Sequence, residues 1–500
     1  MSLAVAIASA AAFGLSAIRW LRVAQREHYI PGSIIRFAVR WWTSRAVNVA
    51  GAVVALGASA ATMAWPAAGL VTAAVIAACP VGLSLRGRTA PLRWTRRLFR
   101  LAVIAGVIYG AVALVGLVPG IGARAAVAGA FLAPVIVDLA ALVATPLERR
   151  LSERFVRRAR ERLASVSPKV VAITGSYGKT STKEYARHLL AGRYSVAASP
   201  ASFNNRMGLA RAINNDLTPG TEVFVAEMGT YAPGEIAELV SWIRPDLSVL
   251  TAVGPVHLER FRSLEAIAKA KSEIVDGASA VVLNADDPLV VSAVEGVAGA
   301  APLTRCSVSD RDADVCVRDG QVSVRGKVLG HVDETLFGMN VACAVGVALA
   351  LDVAQDVIAS RLGSLPTPEH RRHVLETPRG VTVIDDTYNS NPAGAAAALE
   401  LLARTGTDGA RRVVVTPGMV ELGREQPKEN EEFAERAGRT GTALIVVGRT
   451  NRRSLVKGAR AGRADVRAVD RREQAVAWVR ENLASGDVVL YENDLPDHYP

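Results

Sequence analysis

The first 150 of the 500 residues contain no lysine and only three acids, Glu27, Asp138 and Glu148. Fifteen arginines stand against those acids, so this stretch carries +12 and the other 350 residues −1, out of a total of +11. The basic excess is confined to the N-terminal part, where arginines alternate with long apolar runs. Membrane topology explains that alternation better than a nucleic-acid surface, and no nucleic-acid partner is expected. Cysteine is also scarce. Cys79, Cys306, Cys316 and Cys343 form no CxxC pair and have no histidine at ligand spacing. Neither a zinc site nor a disulfide framework is supported, and buried free thiols in a reduced compartment fit.

Five apolar segments, about 2–18, 47–64, 66–85, 101–118 and 122–145, each approach the roughly 20 residues a helix needs to cross the hydrocarbon core. The first lacks the basic start of a signal peptide and reads as a retained helix. Arginines cluster in 19–46, in 86–100 and again from Arg149 to Arg162, while the connections at Trp65-Pro66 and Pro119-Gly120 hold none. By the positive-inside rule the N-terminus lies outside and everything after about residue 146 is cytoplasmic. This predicts a multi-pass plasma-membrane domain over 1–146 with lipid as a partner. The tight Trp65-Pro66 connection leaves the second and third segments open to a hairpin. Asp138 reads as a buried partner of a loop arginine, or else as part of an ion pathway. Residues 147–166 form a basic amphipathic linker, lying on anionic lipid or solvated.

After Pro168 apolar β-runs alternate with helical stretches, as in an α/β sheet. The strand Val170–Ile173 runs into Thr174-Gly175-Ser176-Tyr177-Gly178-Lys179-Thr180-Ser181 and then a helix. Strand, glycine loop and helix N-terminus form a cradle of backbone N–H groups for phosphate, although the loop is two residues shorter than the usual GxxxxGK[ST]. Lys179 supplies a charge for the β- and γ-phosphates and the Thr180 hydroxyl a ligand for Mg²⁺. The expected fold is α/β: a bundle of transmembrane helices, a P-loop ATPase domain over 167–364 and a Rossmann-like domain over 365–500. The last contains no GxGxxG, so dinucleotide binding is not expected. Glu227 ends the β-run Val223–Ala226, and His257 follows Leu247–Val253. A strand-end carboxylate suits Mg²⁺, though a lone one is more often a surface or capping residue.

The short phosphate loop is one of several motifs in a fixed order. The others are Asn204-Asn205, Glu227-Met228-Gly229, Pro233-Gly234-Glu235-Ile236, His257-Leu258-Glu259-Arg260-Phe261, Ala268-Lys269-Ala270-Lys271, Asn284-Ala285-Asp286-Asp287-Pro288 and Asp385-Asp386-Thr387-Tyr388-Asn389-Ser390-Asn391-Pro392. Each is weak alone. Their order and spacing over about 330 residues resemble the Mur ligases, and among them the branch that adds D-Ala-D-Ala to a muramyl tripeptide.

The resemblance implies an ATP-dependent, ADP-forming ligase of cell-envelope synthesis. It would join a UDP- or lipid-linked carboxylate to an amino acid or dipeptide amine through an acyl phosphate. It makes Lys179, His257, Lys271 and Arg371 catalytic, with Arg372 the alternative to Arg371. Two Mg²⁺ ions are implied, held by Thr180, Glu227, His257 and a carbamylated lysine, Lys271 in preference to Lys269. Asn284, Asp287, Asn340, Arg371 and Asp386 would serve the nucleotide. Asn204, Asn205, Tyr388, Asn389 and Asn391 would serve the substrates, with helix capping the alternative for the first two.

The chain departs from the family at Met339, where a histidine is usual, at Gly418–Gly423 and at Tyr491–Asp497. The last two changes fall where the amine component is expected, and an N-terminal membrane part is itself unusual. A ligase for a capsular or secreted poly-amino acid is thus an alternative, as is a catalytically silent ATP-sensing membrane protein. The intact Lys179, Thr180, Glu227, His257 and Lys271 oppose silence.

Overall fold

The computed structural model describes residues 2–87, 91–118, 121–201, 203–366, 373–388, 390–407, 409–495 and 498–500. It divides into two compact units. The first is Met1–Leu151 with Gly448–Thr450 and Leu495–Pro500; the second is Ser152–Val447 with Asn451–Asp494.

Within the first unit, two described helices are long and apolar enough to cross a membrane alone, Leu3–Arg26 and Arg96–Leu114. Counting the bent pairs Ser33–Thr43 with Ala46–Ala61 (107°) and Arg124–Phe131 with Ala133–Val166 (74°) as one span each raises the number to four, short of the expected five. The segment expected at 66–85 supplies only the 11-residue helix Ala68–Ala78. At 1.5 Å per residue that is too short to span. It folds back on Ala46–Ala61 as a hairpin: Thr72 Oγ1 donates to Ala55 O at 3.2 Å, and Val81 N donates to Asn48 Oδ1 at 2.7 Å. Arg124 closes the tip, its Nε donating to Thr62 O at 3.0 Å.

Asp138 is buried and faces the charge of Arg36, an arginine of the 19–46 stretch, as expected, and backbone N–H groups share its carboxylate. Its Oδ1 accepts from Gly32 N at 2.8 Å, satisfying an orphan donor at the start of helix Ser33–Thr43. The described end of the chain belongs to this unit too. His498 is buried with Nε2 3.0 Å from Glu27 Oε1, Trp41 Nε1 donates to His498 O at 2.8 Å, and the Tyr499 ring stands edge-on to Phe37.

In the second unit the apolar stripe of the expected linker is spent on protein rather than lipid. Val156, Ala159 and Leu163 are buried in a core that includes Leu209, Ile213 and Phe224. That core covers one face of a nine-stranded sheet: β1 (Lys169–Thr174), β2 (Val196–Ala198), β3 (Val223–Glu227), β4 (Leu247–Leu250), β5 (Ala280–Asn284), β6 (Leu303–Ser307), β7 (Val315–Arg318), β8 (Gln321–Val324) and β9 (Lys327–His331). The order is β2-β3-β1-β4-β5-β6-β7-β8-β9, parallel through β7. A second core around Tyr185, Leu189 and Val341–Val345 covers the other face. Burial on both faces is why β1 and β3 read as unbroken apolar runs. Register then places the site: Ile173 lies beside Glu227, and Thr174 beside Leu250. The C-terminal ends of β3, β1 and β4 therefore meet, with successive crossovers leaving on either side of β1, the crevice where such sheets bind ligands.

The other sheet has β10 (His373–Glu376), β11 (Thr382–Asp386), β12 (Arg412–Thr416), β13 (Ala443–Val447), β14 (Asp465–Val469) and β15 (Val488–Glu492). Its order is β10-β11-β15-β12-β13-β14, with only β10 antiparallel. The four strands expected from sequence are present; β10 and the largely exposed β14 lack their apolar signature.

Candidate active site

The turn between β1 and helix Lys179–Leu190 is built on two glycines. Gly178 has φ +80°, and a Cβ there would lie 2.2 Å from Asn340 Oδ1. A Cβ on Gly175 would lie 2.0 Å from Thr251 Oγ1. Only glycine fits either place. Thr174 Oγ1 donates to Met228 O at 2.8 Å and Ser176 Oγ to Gly254 O at 3.1 Å, which ties the loop to the ends of β3 and β4. Lys179 Nζ folds back on Gly175 O at 2.7 Å, inside the curve that a phosphate would fill.

Glu227 is the hub of the site. It is buried at the end of β3, accepting from Thr180 Oγ1 on Oε2 at 2.9 Å and from Asn204 Nδ2 on Oε1 at 3.0 Å. Threonine hydroxyl and carboxylate side by side are hard oxygen donors of the kind Mg²⁺ selects. Asn205 behaves differently from its neighbour: its Oδ1 accepts from Gly208 N at 2.9 Å and caps helix Arg206–Asp216. Lys183, which sequence reasoning did not single out, is fully buried and contacts the same carboxylate, 3.6 Å from Oε2.

The two candidate lysines of helix Leu264–Ser272 separate cleanly. Lys269 is exposed and Lys271 buried. Burial holds the Lys271 amine well below its ordinary range, and the charge of Lys179 pushes the same way. His257 is also lowered, by burial first, against the opposing pull of Glu421. His257 Nδ1 contacts Glu421, Arg260 lies 3.8 Å from the same carboxylate, and the Tyr231 ring packs edge-on to the imidazole. Glu421 is a second residue that sequence reasoning missed. It has φ +65° in the loop after β12, and nothing local in sequence pairs it with a histidine 164 residues away. Among the described residues no three His, Cys, Asp or Glu side chains are grouped to hold a metal. The hard oxygen donors that the described residues bring together here are Thr180 and Glu227.

A cavity of 340 Å³ opens beside the loop. Tyr177, Gly178, Ser181, Asn284 and Asn340 line one part, and Asp386, Asn391 and Gly394 another. Asn284 Nδ2 donates to Thr251 O at 2.9 Å, and Asp287 Oδ2 accepts from Val253 N at 2.8 Å, so both brace the wall. Met339 makes a buried apolar contact in that wall. Asn391 caps the helix Pro392–Arg404, its Oδ1 accepting from Gly394 N at 2.9 Å. Tyr388 is exposed. Arg371, its alternative Arg372, and Asn389 lie outside the described residues.

Two family profiles match in succession: the Mur ligase middle domain over residues 173–341, and the Mur ligase, glutamate ligase domain over residues 370–491. The chain is 33% identical over 359 residues to a Mycobacterium tuberculosis protein named UDP-N-acetylmuramoyl-tripeptide--D-alanyl-D-alanine ligase, covering 64% of this chain and 69% of that protein. The Escherichia coli protein of the same name is 29% identical over 343 residues, covering 65% and 74%. Among solved structures, MurF ligase from Thermotoga maritima in complex with ADP superposes with a TM-score of 0.59 at 28% identity, covering 68% of this chain and 80% of that one. MurF from Acinetobacter baumannii has a TM-score of 0.60 at 21% identity, covering 68% and 77%. The first match begins on the strand that feeds the shortened phosphate loop, the second ends on β15, and the chain belongs to the Mur ligase family.

Proposed function

We propose that this chain is a membrane-anchored ligase that couples D-alanyl-D-alanine to the free carboxylate of a UDP-N-acetylmuramoyl tripeptide, consuming ATP. The observation that carries the reading is Lys271, a buried amine that burial and then the charge of the phosphate-loop lysine hold well below its ordinary range. A neutral amine is what carbon dioxide requires to form a carbamate. The names and sequence identity of the relatives support the substrates.

The acceptor carboxylate attacks the γ-phosphorus, ADP leaves and an acyl phosphate forms. The amine then attacks the carbonyl carbon, loses a proton and releases phosphate. Lys179 and the loop N–H groups hold the phosphates, and Thr180 with Glu227 would hold one Mg²⁺. His257 and carbamylated Lys271 would hold a second. Bound Mg²⁺ supplies charge neutralisation on the transferring phosphoryl group. Asn284, Asn340 and Asp386 face the nucleoside, and Arg371 serves the γ-phosphate.

Residues 1–146 anchor the ligase in the plasma membrane with 152–494 in the cytoplasm; the arginine clusters and the two long apolar helices support this. The test is ADP release by detergent-purified protein. Release requiring both UDP-muramyl tripeptide and D-Ala-D-Ala is expected. Release with glutamate in place of the dipeptide would instead favour a poly-amino-acid ligase.

A further inference from the structure

Lys183 sits one helical turn beyond Lys179, on the face turned into the protein, and its side chain has no exposed surface. Its ammonium has three protons. Two are spent on backbone carbonyls, Ser199 O at 2.7 Å and Ala201 O at 2.6 Å. The third side faces carboxylates, with Glu227 Oε2 at 3.6 Å and Glu184 Oε1 at 3.4 Å. A buried lysine so engaged is an expensive feature, and a solvated one would serve a surface helix as well.

The carbonyls it holds belong to the stretch that leads from β2 toward Asn204. Ser199 in turn ties back to the strand beneath the site, its Oγ accepting from Glu227 N at 3.1 Å. Glu227 thus has Asn204 on one oxygen, Thr180 and Lys183 at the other, and Ser199 on its backbone. Lys183 touches both the carboxylate and the stretch that leads to its other partner.

We propose that Lys183 is a positioning residue for the metal carboxylate: it locks the Ser199–Ala201 turn and one oxygen of Glu227, and so fixes the rotamer in which Glu227 meets the ion with Asn204 on its other oxygen. The inference rests on Glu227 being a metal ligand in the proposed ligase. It is distinct from a phosphate-binding role, because a side chain without exposed surface reaches no nucleotide.

The sign of one measurement tests it. Removing a cation that merely sits near a divalent-ion site would tighten ion binding, since like charges repel. Removing a positioning group loosens it, by tenfold or more for a residue that orients a ligand, on the order seen elsewhere. Mn²⁺ binding to full-length detergent-purified protein with ADP, followed by electron paramagnetic resonance, should weaken about tenfold in Lys183→Met. The Mg²⁺ concentration needed for half-maximal turnover should rise with it. Unchanged or tighter Mn²⁺ binding would overturn the proposal, whatever happened to thermal stability. Should Lys183→Met fail to fold, Lys183→Gln carries the same test, since its amide keeps a donor for one carbonyl. Wild-type protein that binds no Mn²⁺ with ADP would overturn both this inference and the ligase reading. Normal wild-type binding with unaffected variants overturns this inference alone.

Discussion

Asn204 and Asn205 are neighbours, yet one turns its amide to Glu227 while the other caps a helix. Sequence placed both near substrate because a resemblance aligns positions, not side-chain directions. The helix beginning at Arg206 decides between them: its orphan N–H groups claim the residue immediately before it. Lys269 and Lys271 posed the same problem and burial resolves it, since two residues along a helix point to different faces. The difference can be measured. Lys271→Ala should lower ligation by about a hundredfold or more, as loss of a preorganised charge does. Formate or acetate at high concentration should restore part of it, because a free carboxylate fits the vacated space and supplies oxygen ligands. Lys271→Arg should stay inactive and unrescued, while Lys269→Ala should turn over normally. Rescue by amines in place of acids would count against the assignment. Lys183 and Glu421 were not legible, for a different reason. Their partners lie 44 and 164 residues away: strand order brings the first pair together, and the second pair follows strands of two different sheets.

At the scale of elements, β1, β3 and β4 were plain in sequence because burial on both faces writes them as apolar runs. The phosphate loop was equally plain, since its glycines answer to backbone geometry. Gly178→Ala places a methyl at φ +80° and 2.2 Å from Asn340 Oδ1. The strain costs about 1–2 kcal/mol and the clash displaces Asn340, so ADP affinity measured by calorimetry should fall at least tenfold. The C-terminal ends of β11, β12 and β15 hold a feature no periodicity marks. Burial pushes the Glu492 carboxyl from its usual 4.5 up to about 7, against hydrogen bonds from Ser390 and Thr416. Because the folded state holds this proton more tightly than the unfolded chain, stability falls as pH rises from about 4.5 to 7 and levels off above. The loss amounts to roughly 3 kcal/mol. Glu492→Gln should remove that slope, so thermal unfolding of the variant at pH 8 should occur above wild type, and the two should converge near pH 5. The apolar N-terminal segments were the least legible elements. Hydropathy marks apolar length but not the break after Ala78 or the 107° bend that turns Ser33–Thr43 away from Ala46–Ala61.

For the whole molecule, the charge division is the feature composition shows best, and it survives the change in helix count. In the proposed anchor, a hairpin over 46–78 that entered and returned on one side would keep the arginines of 19–46 and 86–100 together, as five full spans would. Reporter fusions after residues 30, 92 and 160 should all report cytoplasm and one at 120 the outside. A cytoplasmic signal at 120 would refute the arrangement.

The burial of His498 against Glu27 has a consequence in time. These partners are 471 residues apart in the chain. At translation rates of about 5–20 residues per second, the slot formed by Glu27, Phe37 and Trp41 stands open for roughly 25–95 s before residue 498 exists. The first unit begins to be made first and is completed last. Its helices are made early, yet their core closes only after both sheets of the second unit have been synthesised. A ribosome stalled before residue 490 should therefore hold a first unit that a protease cuts near residues 27–45, and release of the full chain should protect it.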